Sequence, residues 1–392
     1  MSIAISPPSL NQPQQAQRLQ TQQILQAAIV QANGRLPFDQ FMDLALYAPG
    51  AGYYVNGSHK LGVQGDFVTA PEISSLFSQC LANQVAQVLA SLSQSEILEF
   101  GAGSGRMAAD VLMQLQRLDG LPERYLILEV SPDLRLRQQE VLQHRVPDLV
   151  GRVEWIETLP AAGWQGVVLA NEVLDAMPVH RFRWTGEDWQ EAYVTYASEV
   201  NFAECWDAVQ SPGLLSALRA LGERIGVLPT GYQSEVNLRM HPWLAAIAGF
   251  MQRGAVLLID YGYTEREYYH PERTEGTLIC HFQHQAYTNP YERVGLQDIT
   301  ANVDFSALAH AGLDVGFSLA GYTPQAHFLL DNGWDGLFQG IDDSMQGLQK
   351  RSEAKRLLLP TEMGERFKVM AFVRALDMAL QGFQSRDMRA YL

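Results

Sequence analysis

The chain has 392 residues, which is enough for one large α/β domain with insertions or for two domains. Hydrophobic residues make up 47% and charged residues 18%, so the composition excludes the disordered and fibrous classes. The formal net charge of -15 argues against a nucleic-acid or anionic-membrane binder, because such partners attract basic surfaces.

The three cysteines, Cys80, Cys205 and Cys280, are too far apart in sequence to suggest a disulfide framework or a zinc site, so no metal is predicted. No apolar run is long enough to cross a bilayer, and the first residues lack a signal or transit pattern. We therefore expect a soluble, cytoplasmic protein without a membrane span. The sequence leaves the oligomeric state open, a homodimer included.

The N-terminal part of the chain is predicted to be helical after a loose start. Residues 1–20 are rich in Pro and Gln and are predicted to form a flexible arm. Residues 21–93 form a helical region, with helices expected at 21–32 and around the apolar positions between Phe38 and Leu46. The segment Thr69-Ala-Pro-Glu72 has capping-box spacing and is expected to open a further helix.

The remaining residues, 94–392, are predicted to form an α/β domain. Short apolar runs at 97–100, 125–128, 167–170 and 255–259 are typical of buried parallel strands, and helical patterns separate them. This alternation predicts a doubly wound, Rossmann-like sheet.

Two insertions interrupt the predicted sheet. Residues 180–250 contain a hairpin that turns at 186–188 and a helix at 214–225, and we interpret them as carrying substrate contacts. Residues 263–302 are rich in Tyr, His, Gly and Pro, which favours a lid or binding loop. A helix near 305–311, a basic helix around 350–356 and a final strand at 368–374 follow.

A glycine-rich turn follows the first predicted strand, in the motif Glu99-Phe-Gly-Ala-Gly-Ser-Gly105. Such a turn lets a nucleoside ligand approach the backbone closely. Arg106 stands where the dinucleotide motif has a small residue, which disfavours a nicotinamide cofactor. An acid before the turn suits the ammonium group of S-adenosylmethionine (AdoMet). The cofactor-binding candidates are Glu99, Gly101, Ala102, Gly103 and Gly105.

Acidic residues also follow the next two predicted strands. Glu129 ends the second strand, where a carboxylate can accept hydrogen bonds from both ribose hydroxyls. Asn171, Glu172 and Asp175 follow the third strand, at the sheet edge where open α/β folds bind ligands. Asn171 is a cofactor candidate, and Glu172 and Asp175 are catalytic candidates, although turn and helix caps would also explain them. Asp260, after the fourth strand, is as well explained by a structural role.

Several motifs, in order, resemble the MidA-like proteins, relatives of the protein arginine methyltransferase that assists assembly of respiratory complex I. Matching stretches run from 45–54 and 65–74 through 99–105, 171–182 and 260–262, and continue with 276–278, 298–305 and 363–367. The resemblance implies a class I methyltransferase fold, AdoMet as donor and a protein arginine as acceptor, with a respiratory-complex subunit as a candidate partner. It also implies that residues 65–74 cover the cofactor, which adds Asp66, Thr69 and Pro71 to the cofactor candidates.

The sequence departs from the family pattern at His281 and Asn302, where Tyr and His are usual, whereas His284 matches. These departures leave the acceptor end of the site open. Methyl transfer from a sulfonium requires alignment of donor and acceptor, and a protonated guanidinium also requires carboxylates to orient it and accept a proton. We expect Glu172, then Asp175, to do this, with His284 as a candidate proton relay. A small-molecule methyltransferase and a non-catalytic assembly factor that binds AdoMet are the alternatives.

Overall fold

The computed structural model describes residues 10–56, 69–198, 201–339, 342 and 344–392. Its helices are α1 (Gln12–Gln31), α2 (Phe38–Tyr47), α3 (Ala70–Ile73), α4 (Ser75–Leu89), α5 (Arg106–Arg117), α6 (Pro132–Arg145), α7 (Leu214–Ile225), α8 (Met240–Phe250), α9 (Glu265–Tyr268), α10 (Phe305–Asp314), α11 (Gln325–Asp331), α12 (Trp334–Phe338) and α13 (Met345–Leu358). Its strands are β1 (Leu36–Pro37), β2 (Glu96–Phe100), β3 (Arg124–Leu128), β4 (Val153–Ile156), β5 (Trp164–Asn171), β6 (His180–Trp184), β7 (Trp189–Ser198), β8 (Asn201–Ala208), β9 (Gln233–Val236), β10 (Met251–Tyr263), β11 (Ile279–Phe282), β12 (Gln285–Tyr287), β13 (Asp298–Thr300), β14 (Val303–Asp304), β15 (Ser318–Pro324) and β16 (Phe367–Arg374).

The central sheet has the strand order β15-β16-β10-β5-β2-β3-β4, with β14 paired to the end of β10. Five neighbouring strands are parallel, in the order β4, β3, β2, β5 and β10. Strand β16 lies between β10 and β15 and runs antiparallel to both. The four apolar runs predicted as parallel strands lie in β2, β3, β5 and β10. The predicted Rossmann-like α/β sheet is therefore confirmed.

Helices cover both faces of this sheet. Successive side chains of a strand point to opposite faces, so Ile97 packs with α4 and α5 while Leu98 packs with α8 and α10. Both residues are fully buried. Burial on both faces explains why the strands appear in the sequence as continuous apolar runs rather than as alternating patterns.

A second sheet, β1-β7-β6-β9 with β8 on β7, and a small sheet, β12-β11-β13, lie outside the central one. Helices α1 and α2 share a hydrophobic core with parts of both, through residues such as Leu25, Phe41, Val194 and Ile299. Helix α4 instead belongs to the core of the central sheet. Residues 21–93, which were predicted as one helical region, therefore contribute to two different hydrophobic cores.

The predicted flexible arm at 1–20 is wrong for its second half, because α1 begins at Gln12. Asn11 and Gln14 form a capping box in which each side chain accepts a hydrogen bond from the other residue's backbone N–H. Leu25 and Ile29 then anchor the helix in the core. Residues 1–9 lie outside the described residues.

The first insertion has the predicted hairpin, formed by β6 and β7, and the predicted helix, α7. The second insertion is more regular than expected, because residues 263–302 carry α9 and the small sheet. In the described part of the chain, no helix combines the length and the apolar character needed to cross a bilayer.

Candidate active site

A cavity of about 270 Å³ lies at the carboxyl ends of β2, β3 and β5. Parallel strands end at the same edge of a sheet, so the segments that follow them meet there. The structure brings most of the predicted site residues into the lining of this cavity: Thr69, Pro71, Glu99, Gly101, Ala102, Gly103, Glu129, Asn171, Glu172 and Asp175.

The glycine turn after β2 bends through three residues with positive φ, namely Gly101 at 63°, Gly103 at 54° and Gly105 at 83°. Gly105 is also the N-cap residue of α5, and a Cβ there would lie 3.0 Å from the Cα of Gln138 on α6. Gly105 does not line the cavity. It is glycine because the left-handed backbone and the close approach of α6 both disfavour a side chain.

Glu99 reaches the cavity from inside β2 and is only 1% exposed. The Tyr125 hydroxyl donates a hydrogen bond to its Oε2 at 2.7 Å. Burial, and to a lesser extent the charge of Glu129, raise the pKa of Glu99 to about 7. A ligand ammonium group beside this carboxyl would favour its ionised form.

Glu129 is held at the cavity wall by hydrogen bonds to both of its carboxylate oxygens. The Ser131 N–H donates to Oε1 at 2.9 Å, and the Gln138 side-chain amide donates to Oε2 at 2.9 Å. The same amide nitrogen donates to the carbonyl of Gly103 at 3.0 Å, and the Trp155 indole donates to Oε1 of Gln138 at 2.9 Å. Gln138, which is fully buried, therefore connects the glycine turn to Glu129. Sequence reasoning missed it because no motif marks a single Gln in a polar helix.

Glu172 and Asp175 follow β5 and line the same cavity. Glu172 has a φ of 52°, a left-handed conformation that costs a non-glycine residue free energy and is typical of functional sites. Desolvation, with a contribution from the nearby Asp175 charge, raises the pKa of Glu172 to about 8. Burial likewise raises the pKa of Asp175 to about 6. The Asn171 side chain donates to Glu172 at 3.2 Å.

Asp260 supports this turn from β10 without lining the cavity. Its Oδ2 accepts hydrogen bonds from the backbone N–H groups of Leu174 at 3.0 Å and Asp175 at 3.2 Å. Of the two roles considered for Asp260, these contacts support the structural one.

Two tyrosines and an aspartate that the sequence analysis did not single out also line the cavity. Tyr47 and Tyr54 stack with ring centroids 5.4 Å apart and an interplanar angle of 17°. The Tyr54 hydroxyl lies 3.0 Å from both carboxylate oxygens of Asp298, and the Tyr47 hydroxyl donates to the carbonyl of Ala176 at 3.0 Å. Asp298 is 2% exposed and comes from β13, the one element of the second insertion in the lining among the described residues.

The predicted capping box at Thr69 and Glu72 is wrong, although Thr69 does begin α3. Thr69 makes no side-chain cap hydrogen bond. Glu72 instead accepts a hydrogen bond from the Ser104 hydroxyl, and its Oε2 lies 3.7 Å from the Nη1 atom of Arg106. These partners attach α3 to the glycine turn.

Some predicted contacts are not brought to the cavity. His284 is exposed in the turn between β11 and β12, with a φ of 59°, so the structure does not place it beside the acids. His281 lies opposite Asp298 in the pairing of β11 with β13. The described part of the 180–250 insertion contributes no lining residue. Asp66 lies outside the described residues.

Comparisons with known proteins agree with this geometry. A family described as S-adenosyl-L-methionine-dependent methyltransferases matches residues 80–323, more than half of the chain. The mitochondrial protein arginine methyltransferase NDUFAF7 of Danio rerio is 28% identical over 90% of this chain and 87% of its own length. Its Drosophila melanogaster homologue is 30% identical over 88% and 83%, respectively. A crystal structure of a superfamily member from Burkholderia thailandensis bound to S-adenosyl-homocysteine has 39% identity and a TM-score of 0.93, covering 99% of this chain and all of that one.

Proposed function

Because the chain belongs to this family of S-adenosyl-L-methionine-dependent methyltransferases, we propose that its methyl acceptor is an arginine side chain of a protein. The observation that carries the proposal is the position of Glu172 and Asp175, in the same cavity as the glycine turn and Glu129. Names of relatives support it, since those from Danio rerio and Drosophila melanogaster are called protein arginine methyltransferases.

The donor half of the cavity has the residues that AdoMet requires. The bend at Gly101 and Gly103 leaves backbone without side chains beside the cavity. We assign Glu129 to the ribose hydroxyls and Glu99 to the ammonium group of the methionine part. When bound, AdoMet supplies an electrophilic methyl group on a sulfonium.

The acceptor half needs a cation. Glu172 and Asp175 both have raised pKa values, and no Lys or Arg of the described residues forms a salt bridge with either one. A protonated guanidinium between them would stabilise their ionised forms, as an arginine does beside carboxylates elsewhere. The stacked rings of Tyr47 and Tyr54 offer a flat surface of the kind on which guanidinium groups pack.

The residues of this chain would then act on the acceptor in two ways. Asp175, held by the turn that Asp260 supports, orients the guanidinium. Glu172 accepts the proton that the guanidinium loses as its nitrogen forms the new bond to carbon. The pKa of Glu172 is about 8 in the site without the acceptor, and the bound guanidinium lowers it, so that the carboxylate is ionised and can accept the proton.

We also propose a reducing compartment, the cytoplasm as the sequence predicts, because all three cysteines are free thiols. Cell fractionation with detection of the tagged protein tests this, and recovery of the protein in an oxidising compartment contradicts it. A respiratory-complex subunit is the proposed class of partner, by resemblance only, and its capture by a catalytically inactive variant is the test.

The arginine proposal is tested with labelled AdoMet and an extract from cells that lack this protein. We expect the wild type to label a protein band that yields methylarginine on hydrolysis. Glu172→Gln should bind AdoMet with unchanged affinity by calorimetry but lose the label. Glu223→Gln, a change to an exposed acid on α7, is the matched control and should label as the wild type does.

Four results contradict the proposal. Label found only in small molecules indicates a small-molecule methyltransferase. Label on a residue other than arginine shows a different protein acceptor. Full activity of Glu172→Gln would show that Glu172 is not the general base. A cell phenotype that this variant rescues as well as the wild type does would support a non-catalytic assembly factor.

A further inference from the structure

A second cluster of ionisable side chains lies where α2 meets the sheet of the first insertion. Asp39 is in the first turn of α2, His180 begins β6, and Glu191 is on β7. Their side chains are 14%, 11% and 1% exposed, respectively. None of the three lines the cavity described above. They are far apart in sequence, so no spacing motif reveals the cluster.

The two distances from His180 to the carboxylates match those between ligands of one metal ion. Nδ1 of His180 lies 3.5 Å from Oδ1 of Asp39 and 3.4 Å from Oε1 of Glu191, and the three atoms lie within 4.8 Å of one another. For metal bonds of about 2.0–2.1 Å, a tetrahedral site places neighbouring ligand atoms about 3.3–3.4 Å apart.

Hydrogen bonds among the described residues leave two atoms of this arrangement without a partner, although the Ser211 hydroxyl donates to Oε1 of Glu191. Oδ1 of Asp39 and Nδ1 of His180 are both buried atoms without a hydrogen-bond partner in the described part of the chain. An acceptor for an Nδ1–H group would lie along the N–H direction, whereas two ligands that share a metal with Nδ1 lie off that direction. A buried donor or acceptor without a partner is costly, and a bound cation would satisfy both atoms.

The cluster is also supported from outside, as metal ligands usually are. The Tyr193 hydroxyl donates to Oε2 of Glu191 at 2.8 Å, and the backbone N–H groups of Gln210 and Ser211 donate to the same oxygen at 3.0 Å. These hydrogen bonds hold the Glu191 carboxylate in one orientation.

We propose that Asp39, His180 and Glu191 bind one divalent transition-metal ion of the zinc class, with a fourth position for water. One imidazole and two carboxylates suit such an ion. The site joins α2 to β6 and β7, and α2 ends at Tyr47 in the cavity wall. The metal thus stabilises the packing behind that wall and takes no part in methyl transfer.

The test uses the full-length protein after metal removal by a chelator. Titration calorimetry with Zn²⁺ should show one high-affinity site per chain, and Co²⁺ should give the visible absorption of tetrahedral coordination. His180→Ala and the isosteric Asp39→Asn should weaken Zn²⁺ binding by at least the roughly 10- to 100-fold that loss of an outer-shell partner costs, because each removes or neutralises a ligand. His310→Ala, a change to an exposed histidine on α10, is the control and should bind Zn²⁺ as the wild type does.

Circular dichroism and AdoMet affinity show whether each variant is folded. If His180→Ala does not fold, Asp39→Asn decides, because it keeps the side-chain size and removes only the charge. The proposal is overturned if the wild type binds no stoichiometric Zn²⁺, or if folded His180→Ala or Asp39→Asn binds Zn²⁺ like the wild type. Tight binding that requires another histidine overturns it as well.

Discussion

Replacing Gln138 by Leu should weaken AdoMet binding although Gln138 does not line the cavity. Leu has nearly the same volume but cannot donate to the Glu129 carboxylate or to the Gly103 carbonyl. A hydrogen bond to a charged group contributes about 1.5–3 kcal/mol. If that contribution is lost from binding, the affinity falls by about 10- to 150-fold, at one factor of ten per about 1.4 kcal/mol.

The assay is calorimetric titration of S-adenosyl-homocysteine and of its 2′-deoxy analogue. The wild type should prefer the ligand with both ribose hydroxyls, because Gln138 and Ser131 fix the Glu129 carboxylate that accepts from them. Gln138→Leu should bind both ligands with similar, weaker affinity. A general loss of stability would not reduce this preference, so the pair of ligands separates positioning from folding.

The matched control is Gln84→Leu. Gln84 is also fully buried, and it accepts a hydrogen bond from the Gly382 N–H at 2.9 Å, away from the cavity. This variant should lower the melting temperature without changing either affinity. If folded Gln138→Leu keeps the preference of the wild type, or if Gln84→Leu loses it equally, the role assigned to Gln138 is refuted.

Three further changes test other parts of the site. For the wild type, kcat/KM should rise with pH toward an inflection near 8, because Glu172 must be ionised to accept a proton. In Glu172→Gln this inflection should disappear. An inflection that persists in the variant would show that another group titrates. Gly105→Ala should lower the free energy of unfolding in denaturant more than Gly34→Ala does. Both glycines have positive φ, but only a Cβ at Gly105 would contact the backbone of a neighbouring helix. Equal losses of stability in the two variants would contradict this contact. Tyr54→Phe should raise KM for the acceptor and leave the affinity for AdoMet unchanged, because the lost hydroxyl lies against Asp298; a weaker AdoMet affinity alone would place Tyr54 in the donor half.

The central sheet could be predicted because its strands are covered on both faces. Continuous apolar runs such as 167–170 are long enough for a strand and too short for a helix, and a glycine turn or an acid follows each of them. Helix α7 was predicted with its observed bounds, since Leu214, Leu218 and Leu221 repeat at helical spacing and face one core.

Helix α1 shows where composition misleads. Its first turns are Gln-rich and have almost no apolar side chains, so they resemble an arm in sequence. Gln is nonetheless a good helix former, and the capping box at Asn11 starts the helix before its apolar face begins at Leu25. At Glu72 the local cap motif was overridden by tertiary partners, Ser104 and Arg106, that no local pattern contains.

The two halves of the cavity differ in how the sequence encodes them. The donor half is local: Glu99 and the glycines lie within seven residues, and Glu129 directly follows the neighbouring strand β3, so one motif and one spacing identify them. Tyr54 and Asp175, which we propose for the acceptor half, and Asp298, which lies beside Tyr54, each come from a different segment. No motif can contain such residues, and the sequence analysis accordingly found Asp175 and missed the other two.

A substitution at Tyr54 or Asp298 changes the acceptor wall without altering the hydrogen bonds that hold Glu129 and the glycine turn. Acceptor choice can therefore change while AdoMet binding is kept, since the two sets of contacts share no side chain. Glu172 lines the same cavity as both sets of residues, and its left-handed backbone lies in the turn after β5, where its N–H donates to the carbonyl of Ile259. Loss of Glu172 should thus abolish transfer to every acceptor, whereas loss of Asp298 should affect acceptors unequally.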